Sequence, residues 1–199
     1  MAEQKTPRDI DLLFETGSLR HVPRAWQQVL GLPVANILEH TTRLMLIALV
    51  IARREGKGDE LTILKTALLH DLAEARTLDS AFIHKEYIDR KSEKAEQDMF
   101  SATVFEKEIE LLKEYEKRES IESKIVKDAD HIEVDLELKE LAKIGSTTVA
   151  KWQAGRQIIR DTKIHTEAAK KLWDELQATD PDHWQMNLTA DWINSSKMK

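Results

Sequence analysis

The chain has no cysteine among its 199 residues. This absence excludes a disulfide framework, a zinc or iron–sulfur site with Cys ligands, and a cysteine nucleophile. A chain without cysteine also fits the reducing cytoplasm, and we expect a cytoplasmic protein.

Long apolar runs are missing as well. The first residues, Met1 to Lys5, form no apolar stretch of the signal-peptide kind. The longest apolar run covers residues 44–52, whereas a membrane span needs about 20 residues. We therefore expect no membrane partner.

An excess of basic residues is also lacking. The chain has 30 Lys and Arg against 36 Asp and Glu, so its formal net charge is −6. Such a chain has no overall basic footprint for a phosphate backbone, and we expect no nucleic-acid polymer as a partner. Binding of a small anionic ligand needs only a local positive site, so the net charge does not exclude it.

Residues that break helices are few, namely six Gly and four Pro. Segments of strand length with alternating Val, Ile or Thr are hard to find. With 41% hydrophobic and 33% charged residues, the chain has the composition of a globular protein. This pattern predicts an all-α fold, a compact single-domain helical bundle over residues 1–199.

The periodicity predicts six helices and their caps. Their bounds are 36–54 with Asn36 as N-cap, 60–75 capped by Asp59, a long charged helix from Asp89 or Ser92 to about 117, 120–143 capped by Ser120, 149–160, and 166–177. The first two are apolar nearly all round, which is typical of central helices. Residues 78–89 form the longest irregular segment. A loop at 180–182 precedes a short tail with Trp.

Several motifs of catalytic chemistry are absent. The chain has no glycine-rich phosphate loop, no dinucleotide fingerprint, no Gly-x-Ser-x-Gly and no His-Glu-x-x-His. Any chemistry must therefore come from histidines, carboxylates and a metal ion.

The main signal is a polar pair inside an apolar helix, His70-Asp71. A buried carboxylate without a partner costs several kcal/mol, so it must be paired, hydrogen-bonded or bound to a cation. A divalent metal would satisfy both side chains. A hydrogen bond between the two side chains in the core would also do so, and the local pattern leaves both readings open.

Two other helices offer further ligands. His40 lies at the edge of the inner face of helix 36–54. In helix 120–143, Asp128 and Asp130 flank the apolar stripe on its two sides, so periodicity does not choose between them. His131 falls nearly opposite the stripe, and we expect it to be solvated.

Taken in order, His40, His70-Asp71 and Asp130 resemble the metal signature of the HD-domain phosphohydrolases. The match extends over residues 18–140 through further segments, which are residues 22–24, 39–40, 67–74, 79, 114–115 and 126–133. They resemble the branch that contains bacterial 5′-deoxynucleotidase and its eukaryotic HD-domain relatives. The chain departs from this branch at residues 35–37, at Leu78, and at Ala25, which separates Arg24 from Trp26.

The resemblance implies a metal centre and a catalytic acid–base group. His40, His70, Asp71 and Asp130 would hold one divalent transition metal ion, and these N and O ligands suit Mn, Fe, Co, Ni or Zn better than Ca. Glu74 would orient or deprotonate the attacking water. An ordinary Glu at a helix end is the alternative.

Substrate contacts also follow from the resemblance. Arg24 would bind the phosphate, for which a guanidinium is well shaped. Asp79 would lie near the leaving group or a sugar hydroxyl, and Trp26 would contact the sugar or base, unless it simply packs. Four further histidines are expected to be structural or at the surface, namely His84, His131, His165 and His183. Three further tryptophans are expected to cover the bundle or to lie at a subunit contact, namely Trp152, Trp173 and Trp184.

The sequence thus predicts a metal-dependent phosphomonoesterase that hydrolyses nucleoside 5′-monophosphates, deoxynucleotides included, through a metal-activated water. Hydrolysis of another phosphate ester, such as a cyclic or polyphosphorylated nucleotide, is one alternative. A catalytically silent HD scaffold that binds a ligand is another. The resemblance also implies a homodimer.

Overall fold

The computed structural model describes residues 7–186, and helices make up most of this range. The helices are α1 (Asp9–Ser18), α2 (Gln27–Leu30), α3 (Ile37–Glu55), α4 (Glu60–Leu69), α5 (Glu74–Thr77), α6 (Phe82–Lys85), α7 (Ser92–Phe100), α8 (Ile109–Lys117), α9 (Ile121–Lys143), α10 (Thr147–Thr162) and α11 (Glu167–Ala178). Within residues 7–186, β-type pairing is limited to an isolated bridge between Pro23 and Asn36. The predicted all-α fold is confirmed.

Helix α3 begins and ends where the sequence predicts. Asn36 accepts hydrogen bonds from the backbone N–H groups of Leu38 and Glu39, at 3.0 and 3.1 Å. Glu39 in turn accepts from the N–H of Asn36 at 2.9 Å, which completes a capping box. The helix ends at Gly56, whose φ of 69° is the left-handed conformation that glycine favours.

The core forms where α3 and α9 cross α4 and α11. Its buried side chains include Leu44, Ile51, Ile63, Ile125 and Trp173. A second cluster lies beneath α1 and α7, and a third joins α10 to α9. This packing holds the N-terminal half of α3, the end of α4 and the middle of α9 against one another.

The predicted helix 60–75 is interrupted. Helix α4 ends at Leu69, and the next residues form tighter turns in which Leu72 N–H bonds Leu69 O and Glu74 N–H bonds Asp71 O. Residues three apart in such a turn lie nearly in line, so Asp71 and Glu74 project together. Helix α5 then resumes over Glu74–Thr77.

The predicted long helix to residue 117 is wrong, because the chain breaks after α7. Thr103 donates its hydroxyl to Phe100 O and accepts from Phe105 N–H, and Ala102 has a φ of 60°. Such local side-chain bonds compete with helix formation. Helix α1, which the sequence analysis did not identify, packs here, and Asp9 accepts from Val104 N–H at 2.8 Å.

The periphery differs in part from expectation. Helix α3 is not covered all round, since Leu46 is 63% exposed and Val50 41% exposed. The predicted homodimer stays a prediction.

None of the described helices is long and apolar enough to cross a bilayer. The end of the predicted tail, with Trp192, lies outside the described residues.

Replacement of Asn36 by Ala removes the capping box of α3. We expect Asn36→Ala to lower the free energy of unfolding by about 1 kcal/mol, and Asn36→Ser, which keeps a capping oxygen, to lower it by a few tenths at most. Urea unfolding followed by circular dichroism measures both. Equal stability of Asn36→Ala and wild type would show that the box contributes nothing.

Candidate metal centre

Three helices bring four potential ligands together. His40 comes from α3, His70 and Asp71 follow α4, and Asp130 comes from α9. Ligand atoms of His40, His70 and Asp71 all lie within 4.8 Å of one another. The Nε2 atom of His40 is 3.6 Å from Asp71 Oδ2 and 3.5 Å from Asp130 Oδ1. Asp130 therefore adds a second carboxylate beside His40.

Both imidazoles are fixed by their other ring nitrogen. His70 Nδ1 lies 2.9 Å from the carbonyl oxygen of Ala67, and His40 Nδ1 lies 2.6 Å from Glu133 Oε2. Because both partners accept hydrogen bonds, each Nδ1 carries a proton, and each Nε2 is the nitrogen left to bind a metal ion. These are the tautomers that metal-binding histidines adopt.

The two Nε2 atoms face the centre without hydrogen-bond partners within residues 7–186. His70 Nε2 is 3.1 Å from Asp71 Oδ2, but the contact lacks hydrogen-bond geometry. Buried polar atoms left unpaired are costly. A divalent cation would satisfy both nitrogens and the nearby carboxylates, so the residues fit a metal ion.

The geometry separates Asp128 from Asp130, which periodicity did not. Asp130 points Oδ1 into the centre and holds Lys127 Nζ at 2.7 Å with Oδ2. Asp128 is fully buried elsewhere and accepts from the N–H of His165, and from the N–H and hydroxyl of Thr166, each at 2.8 Å. Asp128 thus anchors the start of α11.

Arg24 balances the charge of the carboxylates. The buried guanidinium lies 3.6 Å from Asp71, 3.5 Å from Asp79 and 3.8 Å from Asp130. Burial alone would raise the pKa of Asp71, but His70, His40 and Arg24 hold this pKa well below its usual range. Since the pKa of Asp130 is lowered as well, Asp71 and Asp130 both stay charged beside this guanidinium.

Asp79 and Trp26 also reach this region. Asp79 accepts from Ala25 N–H at 2.9 Å and from Ser80 N–H at 2.7 Å, so it ties the segment after α5 to the segment that carries Arg24. The guanidinium of Arg24 stacks over the ring of Trp26 at 4.4 Å. The indole N–H of Trp26 donates to Glu137 at 2.9 Å.

Glu74 lies beside the centre and is 5% exposed. Its Oε1 accepts from Arg90 at 3.1 Å, while its buried Oε2 has no hydrogen-bond partner in the described part of the chain. Burial, with the negative charges of Asp71 and Asp79, raises the pKa of Glu74 to about 9. Glu74 is therefore not an ordinary exposed Glu at a helix end.

Sequence reasoning missed the residues that support the site. Asp130, Glu133 and Glu137 follow one another at spacings of three and four along α9, which puts them on one face. Glu133 is fully buried between His40 and Arg43, and Glu137 accepts from the N–H of Ala35. The repetition of carboxylates at helical spacing after Asp130 was the sequence signal that could have identified Glu133 and Glu137.

His131 was predicted to be solvated, and this prediction is wrong. It is half-buried, and burial lowers its pKa to about 4. The reason is that α10 covers this side of α9, so the side of α9 opposite the apolar stripe does not face water. His131 lines a cavity with Trp152 of α10.

Two cavities open at the site and share Arg24, Asp79, Lys85, Lys127 and Asp130. The first, here called the polar cavity, has a volume of about 550 Å³ and reaches the metal-centre residues His70 and Asp71. The second, the aromatic cavity, has a volume of about 490 Å³. Side chains that line it include Trp26, Phe82, His131, Val134 and Trp152.

The contrast between Asp128 and Asp130 gives a paired prediction. Asp130→Asn should lower metal affinity at least tenfold and change the free energy of unfolding by less than about 1 kcal/mol. Asp128→Asn should keep the metal and lower that free energy by about 2 kcal/mol, because hydrogen bonds to the start of α11 are lost. Metal titration and urea unfolding measure both. Metal loss in Asp128→Asn alone would reverse the assignment.

Solved structures share this fold. A conserved hypothetical protein of Pyrococcus furiosus is 24% identical, with a TM-score of 0.74, and the match covers 86% of this chain and 100% of that one. A protein of Pyrococcus horikoshii is 28% identical, with a TM-score of 0.69 and coverage of 85% and 96%.

A predicted metal-dependent phosphohydrolase of Magnetospirillum magnetotacticum is more distant. It is 18% identical, with a TM-score of 0.61 and coverage of 84% and 90%, which shows the fold alone. Among curated proteins, none matches this chain. The HD-domain family matches residues 16–176, a range that includes all the site residues described above. The chain therefore belongs to the HD-domain family.

Proposed function

We propose that this protein is a metal-dependent phosphohydrolase that converts nucleoside 5′-monophosphates, deoxynucleotides included, to nucleoside and phosphate in the cytoplasm. The observation that carries the proposal is the pair of buried, unpartnered Nε2 atoms of His40 and His70, which face Asp71 and Asp130 beside a buried arginine. A similar fold in a predicted metal-dependent phosphohydrolase supports it.

His40, His70, Asp71 and Asp130 would hold one divalent transition ion. Two imidazole nitrogens and two carboxylates suit Mn, Fe, Co, Ni or Zn. When bound, such an ion lowers the pKa of a water molecule and polarises a phosphoryl oxygen. The hydrogen bonds from His40 to Glu133 and from His70 to Ala67 keep the two rings in the orientation that this role requires.

Arg24 and Glu74 would act on the phosphate and on the attacking water. The guanidinium of Arg24 is anchored between three carboxylates, so it presents a fixed positive charge to phosphoryl oxygens. A cation bound at the centre would lower the raised pKa of Glu74, and its free Oε2 would then accept a proton from the attacking water, while Arg90 holds Oε1. Asp79, which contacts Arg24, would lie near the leaving oxygen.

The aromatic cavity supports a nucleoside as the leaving group. It begins at Arg24 and Asp130, which also border the metal centre, so one molecule could occupy both regions. Its walls include Trp26 and Trp152, and aromatic rings stack on bases of any sequence. Phe82, 77% exposed, stands at the same cavity and would cover a bound base.

The central prediction concerns phosphate release after chelator treatment and addition of Mn, Co, Mg or Zn. Wild type should release phosphate from nucleoside monophosphates with an added transition metal. His70→Ala should lose both metal and activity. Glu74→Gln should keep the metal and lose about 100-fold in kcat, because general-base catalysis contributes about that much.

The control for this experiment is His165→Ala, which removes an exposed imidazole outside the site and should leave activity unchanged. Metal binding without release from any nucleoside monophosphate would favour a different phosphate ester. If the protein neither binds a metal nor releases phosphate, the proposal is overturned in favour of a silent scaffold.

The nucleoside part of the proposal has its own prediction. Trp152→Ala should raise KM for nucleoside monophosphates about tenfold and leave KM for glycerol phosphate unchanged, since stacking on a base is worth about 1–3 kcal/mol. Trp184→Ala is the control, because Trp184 is 70% exposed and does not line the aromatic cavity. Equal changes in KM for both substrates would contradict a nucleoside site here. Thermal unfolding checks that the third core cluster, which contacts Trp152, stays intact.

A further inference from the structure

Arg118 stands in a backbone conformation that arginine disfavours. It follows α8 directly and has φ 57° and ψ 31°, the left-handed region. Helices usually place glycine at this position, because a Cβ atom is strained there. A residue other than glycine that is held in this conformation often belongs to a functional site.

The guanidinium of Arg118 lies in the polar cavity. Its Cζ atom is 3.5 Å above the ring of Tyr115, a buried residue that packs edge-on against His70 at 5.8 Å between ring centroids. The cation therefore stands one aromatic ring away from the candidate metal centre. Stacking fixes its position without consuming its hydrogen-bond donors.

Those donors are largely free. Nη1 of Arg118 is buried and makes no hydrogen bond within residues 7–186, and Nη2 contacts Glu116 only at 3.5 Å, the outer limit for a hydrogen bond. A buried guanidinium nitrogen without a partner is costly. An oxyanion in the cavity would satisfy it, and a planar fork suits phosphate and carboxylate.

Most other cations that line the polar cavity are already paired. The pairs are Arg24 with Asp71, Asp79 and Asp130, Arg90 with Glu74, Lys127 with Asp130, and Lys113 with Glu110. Lys85 is exposed where this cavity meets the aromatic cavity. Arg118 thus combines a half-buried side chain, whose Nη1 is buried, with weakly compensated donors.

We propose that Arg118 binds a second oxyanion, a phosphate or carboxylate, beside the phosphoryl group at the metal centre. A nucleoside monophosphate does not carry this second group, so phosphate compounds with two anionic groups should bind more tightly than compounds with one. This inference rests on the proposed function, which places the first phosphoryl group beside Arg24. The cavity volume of about 550 Å³ leaves room for the second group.

The test compares three ligands by titration calorimetry at fixed ionic strength, on chelator-treated and on metal-loaded protein. Orthophosphate carries one anionic group, pyrophosphate adds a second phosphate, and phosphoglycolate adds a carboxylate on the alcohol side. Wild type should bind at least one of the last two about tenfold more tightly than orthophosphate, as expected for one charged hydrogen-bonded pair. The preferred ligand identifies the second oxyanion.

The decisive variant is Arg118→Gly, which removes the guanidinium and also relieves the left-handed backbone. In this variant the affinity for the preferred two-anion ligand should exceed that for orthophosphate by no more than about twofold. The unfolding temperature should equal that of wild type or be higher. Arg118→Lys, which keeps the charge but not the fork, should retain part of the preference. Lys113→Gln is the matched control in the same cavity and should retain all of it.

Because the readout is a ratio of affinities on one folded variant, a change in stability does not mimic the effect. Absence of the preference in wild type, or its persistence in Arg118→Gly, would overturn the inference. In the latter case a lowered unfolding temperature would assign Arg118 to packing on Tyr115. If the protein releases phosphate but its ratio of ligand affinities does not depend on Arg118, the proposed function stands and the anion site is refuted. If the ratio depends on Arg118 but no phosphate is released, only the anion site stands.

Discussion

The hydrogen bond between His40 Nδ1 and Glu133 Oε2 is the interaction on which the site depends. Both residues are fully buried, and the 2.6 Å contact joins α3 to α9 at the centre of the fold. Burial alone would raise the pKa of Glu133, but His40 and Arg43 lower it, so this carboxylate stays charged in the interior. Its charge keeps the proton of His40 on Nδ1 and leaves Nε2 aimed at Asp71 and Asp130. Without Glu133, the packing of two apolar helices would not determine which ring nitrogen faces the site.

Arg24 shows how the same interior accommodates the remaining charge. Three carboxylates converge where water is largely excluded, and their repulsion would destabilise the fold if it were not balanced. The guanidinium lies within 4 Å of all three and supplies one positive charge. Lys127 supplies another at Asp130, at 2.7 Å. A divalent ion would complete the balance, so its binding should stabilise the folded state as well as provide catalysis.

The parts of the fold that were predictable from sequence are those with local causes. The two ends of α3, at Asn36 and Gly56, were predictable because the cap and the left-handed turn involve only neighbouring residues. The choice between Asp128 and Asp130 was not local, because both flank the apolar stripe of α9 equally. It is decided by the start of α11, 37 residues away, whose backbone donors bind Asp128. Arg118 gave no signal either, since a left-handed arginine after a helix is visible only in the backbone.

Backbone strain is concentrated where the chemistry is proposed. Three residues other than glycine have positive φ within residues 7–186, and two of them, Leu78 and Arg118, adjoin groups that line the polar cavity. The carbonyl oxygen of Leu78 accepts from Arg90 at 2.7 Å, and Arg90 in turn holds Glu74. Leu78 thus shapes the segment that fixes the proposed general base, and Arg118 places a cation on the far side of Tyr115. Strain of this kind persists only where surrounding contacts enforce it. Two of these three strained residues adjoin groups that line the polar cavity, which is where the proposed charged ligand would bind.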